Sequence, residues 1–275
     1  MKPSYAYLLI ACSFFVFSCK NATTFELLSG DDTGIHFSNK IVENDSLSIL
    51  KYEYLYNGSG VGMGDFNQDG LLDIFFSGSQ ANGALYLNKG KMQFEDISKA
   101  AGIDTKSRWC SGVSIVDING DGLLDIYVSA TMKTSIQDRE NMLFVNQGVK
   151  NGLPSFKEMS AAYGVNDAGH SEHTAFFDYD RDGDLDLYIA RGGTEGQIGA
   201  TSFQDVVYAN DGKGNFSLVT TALPAFTESN AAVRAVDFDK DGDLDLYVSG
   251  RNVPFSYPQG TVSRLLRGRV PCGRR

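Results

Sequence analysis

Short runs of β-branched and aromatic residues recur along the chain, each bounded by Gly, Asn or Asp. Residues 113–116, 174–177 and 233–236 form one set, and 74–76, 126–128, 187–189 and 246–248 form a second. Both sets predict strands, because such side chains suit a half-buried pleated surface and turn formers close each run. A third set, 85–90, 143–148 and 207–212, ends in an Asn-x-Gly turn and is followed by Phe94, Phe156 and Phe216. Strand, turn and strand predict a hairpin. One period of about 55–60 residues therefore holds about four strands, the content of one propeller blade.

Between the first two sets lies the repeat that carries the chemistry. Four nine-residue segments align without gaps: Asp65-Phe-Asn67-Gln-Asp69-Gly70-Leu71-Leu-Asp73, Asp117-Ile-Asn119-Gly-Asp121-Gly122-Leu123-Leu-Asp125, Asp178-Tyr-Asp180-Arg-Asp182-Gly183-Asp184-Leu-Asp186 and Asp237-Phe-Asp239-Lys-Asp241-Gly242-Asp243-Leu-Asp245. Oxygen ligands at positions one, three and five of a tight loop face one centre, and Gly at position six permits the sharp turn. Position seven (Leu71, Leu123, Asp184, Asp243) offers its backbone carbonyl, and the Asp at position nine closes the shell. Hard oxygen donors in this number suit Ca²⁺ rather than zinc or copper. An EF-hand needs a bidentate Glu at position twelve and flanking helices. Position twelve here is Phe76, Val128, Ile189 and Val248, and the flanks read as strands. The loop is a strand–calcium–strand corner.

Composition agrees with this picture. Gly is 30 of 275 residues, and Asp outnumbers Glu by 25 to 9. Asp favours turns and metal loops over helix surfaces. Sixteen of the 25 Asp fall within the four loops, so the acidity is mainly theirs. A net charge of −10 argues against nucleic-acid binding, which needs clustered Lys and Arg.

The two ends differ from the rest. Residues 1–18 read as a secretory signal, with Lys2 ahead of an apolar run from Tyr7 to Phe17 that is too short to span a bilayer. Ser18 directly before Cys19 resembles a bacterial lipobox, which predicts lipidation of Cys19 and membrane attachment through acyl chains alone. Residues 19–45 then lead into the repeats. Residues 261–275 hold five Arg and no acidic residue, unlike anything upstream, and are expected to stand outside the fold. Cys110 has no evident disulfide partner and reads as a buried thiol.

The loops and hairpins resemble the FG-GAP/VCBS repeats, whose blades carry this calcium loop as in the integrin α-subunit propeller. Residues 54–65 and 177–188 are similar to exported bacterial VCBS-repeat lipoproteins of the UnbV/ASPIC and cartilage acidic protein group. The resemblance implies an all-β fold, a β-propeller of four-stranded blades, with residues 46–260 supplying about four blades of the usual seven. It also implies Ca²⁺ in the loops and a place at the outer membrane or cell surface. The expected role is binding or adhesion to an extracellular glycan or protein. The alternative is the propeller scaffold of a polysaccharide-acting enzyme such as a lyase. The pattern sets no oligomeric state.

Other candidates carry less. His170 and His173 are three apart at the start of a strand, where their side chains point to opposite faces, which argues against a zinc pair. Gly192, Gly193, Gly196 and Gly199 precede no helix and read as a blade loop rather than a phosphate loop. Trp109 and the alternating Tyr52, Tyr54 and Tyr56 read as the core and face of a strand. Among the loops, the third and fourth carry Asp180 and Asp239 where the first two carry Asn67 and Asn119. Charge count therefore predicts tighter calcium binding at the third and fourth.

Overall fold

A computed structural model describes residues 23–269 apart from 107, 134, 194–202, 226–227, 254–255 and 257. Cys19 and the expected leader lie outside the described residues, as do Gly196 and Gly199. The structure is all-β, with four antiparallel sheets that form the four blades of a β-propeller. Blade 1 comprises β1 (Val61–Gly64), β2 (Asp73–Phe76), β3 (Ala84–Asn88) and β4 (Phe94–Asp96). Blade 2 comprises β5 (Cys110–Val116), β6 (Asp125–Ala130), β7 (Met142–Lys150) and β8 (Leu153–Glu158). Blade 3 comprises β9 (Ser171–Phe177), β10 (Asp186–Arg191), β11 (Val206–Asn210) and β12 (Phe216–Leu218). Blade 4 shows three strands among the described residues: β13 (Ser229–Val236), β14 (Asp245–Asn252) and β15 (Arg264–Leu266). Strands follow one another in chain order within each blade, so every connection is a hairpin and every sheet a meander.

The core lies between blades. Phe66, Phe75, Leu85 and Leu87 of blade 1 meet Ile126, Val128, Met142 and Phe144 of blade 2. Val116, Ile118, Tyr127 and Leu143 of blade 2 meet Leu187 and Ile189 of blade 3. Phe177, Tyr188 and Val207 of blade 3 meet Val233, Leu246 and Val248 of blade 4. The side chains on the two faces of each sheet thus serve two neighbours, which is why these strands read as nearly continuous apolar runs.

Among the described residues there are also four single-turn helices: α1 (Gly30–Thr33), α2 (Ser98–Ala101), α3 (Ile136–Arg139) and α4 (Ser160–Tyr163). Three of them form a repeat of their own. Gly34, Gly102 and Gly164 end α1, α2 and α4 in the left-handed conformation. A Cβ at these positions would fall 2.3–2.8 Å from the carbonyl oxygen of Phe94, Phe156 and Phe216, respectively. Each connector therefore docks on the outer strand of the blade that follows it, and only Gly permits that approach.

Two expectations need correction. Part of the Arg-rich tail belongs to the fold, because Arg264–Leu266 pairs with β14 as the third strand of blade 4. Leu266 lies opposite Leu246, as Tyr86 lies opposite Ile74, Phe144 opposite Ile126 and Tyr208 opposite Leu187. Strand pairing and burial of Leu266 against the third core cluster override the basic composition. The second correction concerns Tyr52, Tyr54 and Tyr56, which sit in successive turns rather than a strand. Trp109 packs with Leu55 and Met132 against Tyr52, while Arg251 lies 3.6 Å from the centre of the Tyr54 ring. Cys110 is buried, and burial pushes its thiol up to about 12, in keeping with an inert core residue.

Candidate metal centres

Every acidic loop joins the first strand of a blade to the second, so all four project from the same end of their blades. The turn is built by left-handed residues at positions four and six. Gln68, Gly120, Arg181 and Lys240 occupy the former with φ of 60–69°, and Gly70, Gly122, Gly183 and Gly242 the latter with φ of 85–98°. The Asp at position one folds the loop over itself. Asp65, Asp117 and Asp178 each accept the amide N–H groups of positions five and six, and Asp237 that of position six. Position five then accepts the N–H of position seven through Asp69, Asp121, Asp182 and Asp241. The side chains of Leu71 and Leu123 carry no donor atom, which leaves their backbone carbonyls as the groups able to coordinate.

Position nine has a structural duty that spacing alone did not reveal. Asp73, Asp125, Asp186 and Asp245 each accept the N–H of position two, from Phe66, Ile118, Tyr179 and Phe238 at 2.9–3.0 Å. The other oxygen accepts an N–H from the third strand of the blade, Asn88, Asn146 or Asn210, or in blade 4 from Gly268 just beyond β15, at 2.8–2.9 Å. In the first three blades that Asn side chain also donates to the carbonyl of position eight, Leu72, Leu124 or Leu185. The Asn of each Asn-x-Gly turn thus ties the hairpin to the acidic loop. Blade 4 has Gly268 in its place, so the side-chain tie is missing there.

Three carboxylates converge in two of the four loops. Among the described residues, Asp178, Asp180 and Asp186 each offer an oxygen within 4.8 Å of the others, and so do Asp237, Asp239 and Asp245. Asp182 and Asp241, at position five, stand outside those two groups. Asn67 and Asn119 replace the middle carboxylate in the first two loops, and each donates to the neighbouring Asp69 or Asp121. A set of hard oxygens in this geometry fits a divalent cation such as Ca²⁺.

Electrostatics separates the loops further. Burial pushes the Asp186 carboxyl up to about 7, with Asp180 and Asp184 adding repulsion, and Asp125 up to about 6. Asp73 is raised for the same reason. Asp245 moves the other way, held below the usual range by the amides of Gly268 and Phe238 and by the Arg267 guanidinium. Its own surface is shielded from water, as that of Asp186 is, but its neighbours Phe238 and Asp239 are exposed. Arg267 also pairs with Asp239 and reaches Asp241 at 3.5 Å. It places a cation on the fourth loop, and its origin in the tail hid that contact from sequence reasoning. Arg181 of the third loop meets Asp243 of the fourth at 2.9 Å.

The two histidines do not form a metal pair. The His170 ring lies 5.4 Å from that of Phe203 at a 34° tilt, and burial with Arg139 and Arg191 nearby holds its pKa down to about 4. His173 faces Arg234 at 3.1 Å from its Nε2.

Residues 65–128 and 193–248 match the FG-GAP-like repeat family; the first stretch includes the first two acidic loops and the second stretch the fourth. Together with the four-bladed sheet arrangement, these matches support an FG-GAP-repeat β-propeller assignment. It is similar to cartilage acidic protein 1 of Mus musculus, 29% identical over 139 residues, which are 50% of this chain and 21% of that protein. The Homo sapiens protein of the same name is 30% identical over 142 residues, 50% of this chain and 20% of that one. The chain therefore spans about a fifth of the length of these relatives. A solved structure, that of the V. cholerae biofilm matrix protein Bap1, aligns with a TM-score of 0.38 at 14% identity, covering 72% of this chain and 26% of that one. Among the described residues, no helix is long and apolar enough to cross a membrane.

Proposed function

We propose that this chain is an exported, lipid-anchored propeller that binds Ca²⁺ through its acidic loops and recognises an extracellular glycan or protein with its surface. The calcium reading rests on one observation above all: the oxygens of Asp178, Asp180 and Asp186 converge within 4.8 Å on a loop whose pattern recurs four times. Packing several carboxylates together is costly without a cation, and a bound ion supplies the charge that lets them remain ionised. The loop residues orient the donors, and the clamp at position nine transmits that order to the hairpin. Chelation is expected to lower the melting temperature, and Ca²⁺ to restore it better than Mg²⁺, which demands short, rigid octahedral bonds. Calorimetry showing a folded sample that takes up no Ca²⁺ would refute this.

The binding role is supported by the likeness to cartilage acidic protein 1 over half of the chain. A glycan and matrix-protein array, probed with and without Ca²⁺, tests it; calcium-dependent capture is the expected result. Attachment through Cys19 is tested separately, by loss of the protein from the membrane fraction in Cys19→Ala.

A further inference from the structure

Blade 4 lacks the outer strand that blades 1–3 possess among the described residues, and its place is a groove of about 510 Å³. Tyr179, Val207, Leu223 and Leu266 line that groove, and Gly268 stands at its edge. In the complete blades the corresponding space is filled by a Phe of the outer strand. Phe156 of blade 2 sets its ring 5.8 Å from Phe66, the second residue of the first loop. Phe216 of blade 3 packs in one cluster with Ile118, the second residue of the second loop. Tyr179 is the second residue of the third loop, so the groove is where the aromatic ring of blade 4 belongs.

The chain contains a fourth copy of that strand. Phe94-Glu95-Asp96-Ile97-Ser98, Phe156-Lys157-Glu158-Met159-Ser160 and Phe216-Ser217-Leu218-Val219-Thr220 share one pattern: Phe, two variable residues, an apolar residue and a hydroxyl. Phe25-Glu26-Leu27-Leu28-Ser29 repeats it, ahead of connector α1 and Gly34, as the first two precede α2 with Gly102 and α4 with Gly164. Yet Phe25 and Leu27 are 88% and 98% exposed, so in a single copy this segment does not occupy the groove.

The sheet faces at the two ends of the stack match in the same way. Phe238 and Tyr247 on the far side of blade 4 are 51% and 43% exposed, whereas Ile118 and Tyr127 at the same repeat positions of blade 2 are buried beneath blade 3. Val61 and Met63 on the near side of blade 1 are exposed, whereas Val113 and Ile115 of blade 2 pack on the preceding blade. One chain thus carries both halves of an interblade junction, at opposite ends.

We propose that a second copy of this chain completes blade 4: its residues 23–28 add as the outer strand on β15, and its blade 1 covers the far face of blade 4. The register of the complete blades sets Phe opposite Asn88, Asn146 or Asn210. It therefore places Phe25 opposite Gly268, Glu26 opposite Arg267 and Leu27 opposite Leu266. Glu26 and Arg267 are a favourable cross-strand charge pair, and the added strand removes the open edge of β15. Two such junctions related by a twofold axis make the pairing reciprocal and closed, which limits the assembly to two copies.

Light scattering on the full chain tests this. The expected species has twice the chain mass, and Phe25→Asp should halve it. Because that variant could also disturb folding, a synthetic peptide of residues 23–34 is added in excess to the wild type, and the same halving is expected. With the other cysteines replaced by Ser, a Phe25→Cys and Gly268→Cys pair should form a disulfide between chains. A single-chain wild type, a double-mass species that neither treatment dissociates, or a disulfide formed only within one chain overturns the proposal.

Discussion

The third and fourth loops are nearly the same sequence in two different surroundings. Asp178 to Asp186 and Asp237 to Asp245 differ only at positions two and four, where Tyr179 and Arg181 face Phe238 and Lys240. Their position-nine carboxylates nonetheless shift in opposite directions, Asp186 up to about 7 and Asp245 downward. The middle ligand Asp180 is buried and its counterpart Asp239 is exposed. Blade 4 covers the third loop and removes water from it, while the fourth loop meets solvent and the Arg267 guanidinium. A carboxylate's appetite for a proton or a cation is set by what packs over it, and a nine-residue motif does not specify that.

Replacing the clamp residue should separate the two loops most strongly. Asp186→Ala leaves the N–H groups of Tyr179 and Asn210 without their acceptor and is expected to cost about 2–4 kcal/mol in urea unfolding. Asp245→Ala deprives Phe238 and Gly268 in the same way, but Phe238 is itself 51% exposed and water can replace the lost acceptor, so the loss should be clearly smaller. Equal losses would mean that burial is not what distinguishes the loops.

Calcium affinity comes next in size. Charge count alone ranks the third and fourth loops together above the first two. The Arg267 contact with Asp239 changes that expectation: the third loop binds most tightly, and the fourth is weakened by a resident cation. Arg267→Ala should raise the affinity of the fourth loop several-fold and leave the third unchanged. Calorimetric titration in the background of Asp69→Ala, Asp121→Ala, Asp182→Ala or Asp241→Ala identifies each site, and an unchanged fourth loop would remove Arg267 from the account.

The pH response follows from the raised Asp186 carboxyl. An acid whose folded pKa lies above its unfolded value of 3.8 binds protons better when folded. Its contribution therefore favours the metal-free fold below about 4 and is lost as pH rises through about 7. His170 acts in the opposite sense, because its folded pKa of about 4 makes acid unfavourable to the fold. The Asp186 part is read as the difference between wild type and Asp186→Asn across pH 4–8 without metal. Saturating Ca²⁺ should flatten the Asp186 part of the wild-type pH response, since the ion keeps the carboxylate ionised. The smallest effect is expected for Arg181→Ala. It removes a partly exposed ion pair to Asp243, worth under about 1 kcal/mol in a double-mutant cycle with Asp243→Ala.

Much of this architecture is legible in the sequence. The loops, the strands on either side of them and the Asn-x-Gly hairpins stand where periodicity put them, because each is a local pattern of turn formers and β-branched residues. The connectors were missed because the Gly34, Gly102 and Gly164 signal is a single residue whose meaning is a contact with the next blade's Phe carbonyl. The tail strand was missed because Arg264 and Arg267 mask two apolar residues, and only pairing with β14 makes Leu265 and Leu266 a strand. The Tyr52 to Tyr56 alternation misled, since period two in aromatics also arises in consecutive turns.

The sequence by itself determined the repeat, the loop geometry and the donor chemistry, because these depend on residues within nine positions of one another. Tertiary structure decided which carboxylates are buried, that Asp73, Asp125, Asp186 and Asp245 clamp hairpin to loop, and that Arg267 sits on the fourth loop. It also decided which sheet faces remain uncovered. Those outcomes depend on the neighbouring blade, and desolvation and charge act through space rather than along the chain.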